Sequence, residues 1–309
     1  MKALSFLAAI AFLISAHPAP AAVRVVTTLP DLAWAAREIA GSHAEVSALL
    51  KGRENPHYVD TIPDFIRRVA DAQVVCIVGL DLEIGWMPKV LARSGNAQVQ
   101  PGGKGYCEAG KSVKVLEIPG GPVDRSMGDI HPFGNPHFWL SPRGMAESGE
   151  AIRDALTRVD PAHAEDYRKN HVALVKRLEA LLTKNRARLT RALAGRTGPV
   201  LIEYHKEFTY FLVAHGIRSA GSIEEKPGIP PSAGRIGEVA LAAKAQKLKI
   251  ALGGDYAPLK VMSRFTELSG IPHVRVPTSI LTEGSPRTYE ELQEAIVAPI
   301  EKALANGVQ

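Results

Sequence analysis

One uninterrupted helical segment near the middle of the chain constrains the fold more than any other feature. No Gly or Pro occurs at positions 162–194, Pro161 stands where a helix can begin, and Gly195 stands where one can end. Leucines between positions 174 and 182 lie on one stripe among charged residues. At 1.5 Å per residue such a helix is roughly 50 Å long, the length of a small protein. We therefore predict a rigid helix that connects the two halves of the chain.

Short β-branched runs alternate with helical stretches on both sides of that segment. The predicted strands are 23–28, 46–50, 74–78 and 97–100 before it, and 199–202, 217–222, 250–252 and 274–276 after it. The predicted helices are 31–40, 62–70 and 82–92 before it, and 207–215, 235–247, 259–269 and 289–304 after it. Alternation of this kind is typical of parallel sheets with helices on both faces. The predicted fold class is α/β: two lobes, each a mainly parallel β-sheet flanked by helices, joined by one long rigid linking helix.

The first 21 residues have the features of a secretory signal peptide. Lys2 provides a positive start, positions 3–15 are apolar except for Ser5 and the final Ser15, and positions 19–21 have the small-x-small pattern of a cleavage site. The apolar run is shorter than the roughly 20 residues that span a membrane. No cysteine lies near the cleavage site to accept a lipid. We predict a free periplasmic protein with a signal peptide at 1–21, an N-terminal α/β lobe at 22–160, the linking helix at 161–195 and a C-terminal α/β lobe at 196–309.

Composition excludes several functional classes. The chain has 37 Lys and Arg against 32 Asp and Glu, a formal net charge of +5, and no dense basic block with interleaved aromatic residues. We therefore predict no nucleic-acid partner. Cys76 and Cys107 are the only cysteines, which is too few for a disulfide framework. Cys76 is either a small buried apolar residue or half of a single disulfide with Cys107, which an oxidising compartment permits.

Three histidines occur where a ligand site is expected. His57 and His137 each close an Asn-Pro-His triplet in a loop of the first lobe, and His205 follows a strand of the second lobe. Proline stiffens the loops that carry the first two, and open α/β sheets bind ligands beyond the carboxyl ends of their strands. Three neutral imidazoles at about 2.0–2.1 Å suit Zn²⁺ and leave one tetrahedral position to fill. We predict that these three histidines meet in the cleft between the lobes and bind one metal ion.

His131, shortly before the second triplet, has two interpretations. It is either an additional or supporting ligand of the same ion, or an exposed loop histidine beside Pro132.

These residues resemble the periplasmic binding proteins of zinc and manganese ABC importers, over nearly the whole mature chain. Positions 55–59 and 135–142 are similar to the family's first and second ligand loops, positions 205–211 to its third, and positions 224–231 to a stretch seen in one branch. Family members with His in the third segment tend to bind zinc, and those with Glu manganese. The resemblance implies two lobes that move little on binding, a transport role rather than an enzymatic one, and an ABC permease in the inner membrane as partner.

The fourth ligand of the family has no counterpart here. It is usually an Asp, and Thr278 stands at the matching position. A threonine hydroxyl is a poor zinc ligand, so either water fills the position or another carboxylate reaches it. We predict Asp255, which follows a strand, for this role; the alternative is that it caps the next helix. Glu203 and Glu224 are weaker candidates.

The sequence thus predicts a monomer that captures Zn²⁺ with high affinity in the periplasm and delivers it to an ABC permease. Mn²⁺ or another divalent metal is the alternative cargo, although Mn²⁺ prefers oxygen ligands. A zinc hydrolase or lyase also has three histidines and an open position, but it needs a positioned base and a substrate pocket. An adhesin with a structural metal is a further alternative. Whether a periplasmic metallochaperone loads the site stays open.

Overall fold

Two four-stranded parallel sheets form the centres of two lobes. The computed structural model describes residues 22–124, 127–128 and 130–305, so the predicted signal peptide lies outside the described residues. The first sheet has the order β2-β1-β3-β4 and the second the order β6-β5-β7-β8. The strands are β1 (Val23–Thr27), β2 (Ala44–Ala48), β3 (Val74–Ile77), β4 (Tyr106–Glu108), β5 (Leu201–Glu203), β6 (Ser219–Ser222), β7 (Ile250–Gly254) and β8 (His273–Val276). Both lobes therefore repeat one strand order, and the predicted α/β class is confirmed.

Helices cover both sheets and connect them. They are α1 (Pro30–Ala40), α2 (Pro63–Ala70), α3 (Met87–Ser94), α4 (Pro142–Val159), α5 (Ala164–Leu193), α6 (Thr209–His215), α7 (Ala233–Ala245), α8 (Leu259–Ser269) and α9 (Tyr289–Ala305). Each of α1 to α4 has a proline in its first turn, where the missing N–H is not needed. Within the described residues, no helix is both long enough and apolar enough to span a membrane.

The linking helix α5 has 30 residues, a length of about 45 Å. A short 3₁₀ turn at Pro161–His163 precedes it, so the α-helix begins slightly later than predicted. It ends where Ala194 adopts a left-handed conformation with φ 47°. The helix packs against α1 and α4 on one side of the cleft and against α6 and α9 on the other. Its buried residues include Leu174, Leu178 and Leu182. The helix is thus embedded in both lobes, which favours a rigid arrangement.

Three details of the first lobe differ from the prediction. Positions 97–100 are not a strand but contain a 3₁₀ turn at Ala97–Val99, because the Asn96 side chain caps that turn and donates to carbonyls at the end of α2. The fourth strand instead comes later, at β4, and is only three residues long. Helix α4 was not predicted from the pattern.

Cys76 and Cys107 form a disulfide. They are register partners on the neighbouring strands β3 and β4. The bond therefore attaches the short edge strand to the centre of its sheet, and the interpretation of Cys76 as an unpaired apolar residue is wrong.

A buried carboxylate joins the lobes on the cleft side of α1. Asp31 is fully buried and accepts hydrogen bonds from the Ser279 hydroxyl and from the Ile280 backbone N–H, at 3.1 Å for the latter. Both partners belong to the chain after β8, so the contact ties the first lobe to the second. Burial is the largest cause that raises the pKa of Asp31 to about 7, and its hydrogen bonds act in the opposite direction.

We expect the free energy of unfolding of Asp31→Asn to increase relative to that of wild type as the pH rises. The folded pKa of about 7 lies above the unfolded pKa near 3.8, so the protonated carboxyl stabilises the fold below pH 3.8 and that stability is lost as pH rises towards 7. Asparagine does not ionise and keeps its stability. At about 1.4 kcal/mol per pH unit, the variant should gain roughly 2 kcal/mol on wild type between pH 5.5 and 7.

Urea unfolding at several pH values measures this difference. Asp64→Asn is the control, because Asp64 is an exposed residue of α2 whose pKa lies below the tested range, lowered chiefly by its hydrogen bond from Arg67. A difference between Asp31→Asn and wild type that stays constant with pH would contradict the assignment.

Candidate metal centre

Three histidines converge where the strands of both lobes end. His57 lies in the loop after β2, His205 follows β5 by two residues, and His137 immediately precedes the 3₁₀ turn before α4. One ring nitrogen from each lies within 4.8 Å of those of the other two. The ring centroids of His57 and His137 are 5.2 Å apart, those of His137 and His205 5.4 Å, and those of His57 and His205 5.8 Å. The structure thus brings together the three histidines that the sequence singled out, with contributions from both lobes.

The two Asn-Pro-His triplets have the same local geometry. The Oδ1 atom of Asn55 accepts hydrogen bonds from the backbone N–H of His57 at 3.1 Å and from its ring Nδ1 at 2.8 Å. Asn135 does the same for His137, at 2.9 Å and 3.0 Å. Because Nδ1 carries the proton in each ring, the lone pair is on Nε2, which is the atom free to bind a metal. The Asn thus fixes both the tautomer and the ring direction.

Bulky neighbours hold both triplets in place. The indole N–H of Trp86 donates to the carbonyl of Pro56 at 2.9 Å. Tyr210, from α6 in the second lobe, donates its hydroxyl to the carbonyl of Asn135 at 2.7 Å. The second triplet is therefore attached to both lobes, and neither loop has to be ordered when a ligand arrives.

His205 is oriented by a carboxylate instead of an amide. Its Nδ1 donates to Oε2 of Glu224 at 2.8 Å, and the same oxygen accepts the backbone N–H of Gly228 at 3.0 Å. A carboxylate behind a ligating imidazole increases the basicity of the ring. Glu224, a weaker ligand candidate from the sequence, therefore lies behind the His205 ring.

All three imidazoles are buried, with exposed fractions of 9% for His57, 3% for His137 and 7% for His205. Burial is the largest cause that lowers the pKa of His57 and of His137 well below 6.5, and repulsion from the neighbouring imidazoles adds to it. Neutral rings have lone pairs ready for a cation at neutral pH, so binding does not have to displace protons from them. Moreover, the buried Nε2 of His137 has no hydrogen-bond partner among the described residues. That orphaned acceptor is the atom expected to bind a metal ion.

The carboxylates that the sequence suggested as the fourth ligand are not part of the three-histidine cluster. Asp255 follows β7, and its Oδ1 accepts from the Thr278 hydroxyl at 3.5 Å. Among the described residues, the cluster of histidine, cysteine and acidic ligand atoms at this site includes the three histidines and no carboxylate. Glu203 is buried at the end of β5 and accepts the backbone N–H of Phe208 at 3.1 Å. The role of Asp255 as fourth ligand stays a prediction.

His131 lies beside the cluster. Its Nε2 is 3.2 Å from Nε2 of His57, and the two ring centroids are 5.2 Å apart. Burial is the largest cause that lowers its pKa, to about 4. The alternative of an exposed loop histidine is therefore wrong.

Sequence reasoning missed the residues that orient the rings. It attributed the stiffness of the triplets to proline, whereas Asn55 and Asn135 determine which nitrogen faces the cleft. The signal was present, since the same Asn precedes both histidines by two residues.

Comparison with known proteins identifies the family of the chain. The profile of the family described as "Zinc-uptake complex component A periplasmic" (ZnuA) matches residues 25–303. The zinc-binding lipoprotein AdcA of Streptococcus pneumoniae is 25% identical over 279 residues, covering 87% of this chain and 52% of AdcA, so the chain spans about half the length of that relative. The manganese ABC transporter substrate-binding lipoprotein PsaA of the same species is 24% identical over 248 residues, covering 78% of this chain and 76% of PsaA.

Solved structures show the same fold. A crystal structure of ZnuA has a TM-score of 0.75 at 20% identity, covering 92% of this chain and 99% of that one. Two lobes of parallel sheet around a long helix are thus an architecture shared with known proteins.

Proposed function

The chain belongs to the ZnuA family of periplasmic zinc-uptake components, and from this premise we propose that it captures Zn²⁺ and delivers it to an ABC permease. Its class is that of metal-binding substrate-binding proteins of ABC importers, which are transport proteins and not enzymes. The named relatives include both a zinc-binding and a manganese transporter protein, so the identity of the cargo is our proposal. We propose His57, His137 and His205 as ligands, with the fourth position taken by Asp255, by water or by a further side chain.

The observation that carries the zinc proposal is the nitrogen-rich ligand set. Three buried imidazoles point into one space, and no carboxylate joins them within the described part of the chain. Imidazole suits Zn²⁺, whereas Mn²⁺ prefers carboxylate, carbonyl and water oxygens. Affinity alone does not exclude Cu²⁺, which binds most nitrogen sites more tightly than Zn²⁺. Preference for Zn²⁺ therefore has to come from the tetrahedral arrangement that the stiff triplets impose.

The remaining features of the proposal concern location and partners. We propose that residues 1–21 are removed on export and that the mature chain works in the periplasm as a monomer. Its lobes are then 22–160 and 196–309, joined by the segment 161–195. The permease, and a periplasmic metallochaperone if one loads the site, are its proposed partners.

Competition between metals tests the cargo. Metal-free protein is dialysed against equal micromolar concentrations of Zn²⁺ and Mn²⁺, and the bound metals are measured by mass spectrometry. We expect close to one Zn²⁺ per chain and little Mn²⁺. His273→Ala, which changes a histidine of β8 whose Nδ1 contacts the Thr266 hydroxyl, is the control and should bind as wild type does. Stoichiometric Mn²⁺ in place of Zn²⁺ would reject zinc as the cargo but keep the protein in its class.

A further inference from the structure

We propose that His131 is the fourth ligand, so that the metal ion is held by four imidazoles. This inference rests on the proposed function, because it concerns the same ion in the same cleft.

The first observation is the distance between two ring nitrogens. Nε2 of His57 and Nε2 of His131 are 3.2 Å apart. Two ligands of a tetrahedral ion with bonds of about 2.0–2.1 Å are separated by about 3.3 Å, which is the edge of that tetrahedron. The two nitrogens thus already have the spacing of ligands on one zinc ion.

The second observation is the spacing of the four rings. With about 1.1 Å more from nitrogen to ring centre, imidazoles on one tetrahedral ion have centroids about 5 Å apart. The His57 centroid is 5.2 Å from those of His131 and His137 and 5.8 Å from that of His205, and the His137 and His205 centroids are 5.4 Å apart. The His131 and His137 centroids are 6.4 Å apart, and the nitrogens of His131 lie outside the 4.8 Å cluster of the other three histidines, so His131 has to shift by about 1 Å or more to complete the tetrahedron.

The third observation is that the His131 ring is oriented as a ligand would be. The backbone carbonyl of Asp81, in the loop after β3, acts on this ring as a hydrogen-bond acceptor and partly offsets the effect of burial on its pKa. The other three rings are held in the same way, by Asn55, Asn135 and Glu224. A metal-ligating imidazole almost always donates its second N–H to such a partner.

The backbone at Asp81 and the residue before it has an uncommon conformation. Leu80 has φ 53° and Asp81 has φ 65°, in the left-handed region that residues with a side chain rarely adopt. Strain of this kind, of order 1–3 kcal/mol per residue, is typical of functional sites. Here it belongs to the loop whose carbonyl directs His131.

The nearby carboxylates are already engaged. Asp255 accepts from Thr278, and Glu207 accepts from the Tyr256 hydroxyl and, at 2.7 Å, from the backbone N–H of Gly254. His131, by contrast, is in contact with a ring of the three-histidine cluster. A fourth imidazole instead of a carboxylate makes the ligand set wholly nitrogen, which disfavours oxygen-preferring Mn²⁺ further.

X-ray absorption spectroscopy of the zinc-loaded full chain tests the ligand count directly. We expect wild type to show four nitrogen ligands with the multiple scattering of four imidazoles. In His131→Ala we expect three imidazole ligands and one oxygen ligand from water. Asp255→Ala should retain four imidazole ligands. Three imidazoles in wild type, with a spectrum that His131→Ala leaves unchanged, would overturn the proposal.

Zinc titrations of the same variants separate this inference from the proposed function. His131→Ala should raise the Kd at least about tenfold, since loss of an outer-shell partner alone costs 10–100-fold. Asp255→Ala should titrate as wild type does. If Asp255→Ala weakens binding and His131→Ala does not, the carboxylate is the fourth ligand and His131 is not. If wild type itself binds no Zn²⁺, the proposed function fails, independently of His131.

Discussion

Replacing His137 with Ala is expected to weaken zinc binding about 10²- to 10³-fold. Zinc sites in small metal-binding domains have apparent binding free energies of about 10–16 kcal/mol, which is about 2.5–4 kcal/mol for each of four ligands. Each 1.4 kcal/mol is a factor of ten in affinity. His137 is 3% exposed, and its ring lies within 6.4 Å of the rings of His57, His131 and His205. The substitution should therefore remove one metal ligand, and a water molecule in its place would bind the ion more weakly than the imidazole. Competition with a chromophoric chelator at neutral pH measures the change.

Asn135→Ala provides a graded comparison with His137→Ala. It keeps the imidazole but removes the Oδ1 atom that accepts from its Nδ1, so the expected loss is the 10–100-fold typical of outer-shell partners. Circular dichroism should show that both variants remain folded. His137→Ala binding Zn²⁺ as tightly as wild type would remove His137 from the ligand set.

The convergence of three histidines could be predicted because it follows from local rules. Parallel strands end at the same edge of a sheet, and His205 comes directly after such a strand. His57 likewise lies in a loop that follows a strand of the first lobe, and the second triplet repeats its Asn-Pro-His pattern. No long-range information is needed to place such residues near the cleft.

The position of His131 could not be predicted in the same way. It lies in the long irregular stretch between β4 and the second triplet, and its approach to His57 depends on where that stretch folds back. Short secondary-structure elements could not be predicted for a related reason. The three residues of β4 are too few for a periodic pattern, and their place in the sheet follows from pairing with β3 and from the disulfide. Likewise, the choice of ligand-orienting side chains depends on contacts that loops make only in the folded chain.

Zinc is expected to stabilise a protein that is already folded without it. The hydrophobic core runs through both lobes and includes residues of α5 and α9, and Asp31 joins the lobes without any metal. Binding to the folded state alone adds RT ln(1 + [Zn²⁺]/Kd), about 4 kcal/mol when zinc is a thousandfold above the Kd. For a mature chain of roughly 290 residues, with an unfolding entropy of about 2.1 cal/mol/K per residue, this corresponds to a rise in Tm of roughly 7 °C. Thermal unfolding with chelator and then with 0.1 mM Zn²⁺ measures it.

A folded metal-free form and a rise in Tm with zinc together distinguish a carrier from a protein with a structural metal. A carrier has to survive release, so the chelated form should unfold cooperatively at its own, lower Tm and recover fully when Zn²⁺ is added back. Chelation that abolishes the cooperative transition would instead indicate that the ion holds the lobes together, as the adhesin alternative requires. His137→Ala connects this test to the site. Because it removes a ligand from the cluster and not a contact between the lobes, it should lose most of the zinc-dependent rise in Tm and still unfold cooperatively without metal.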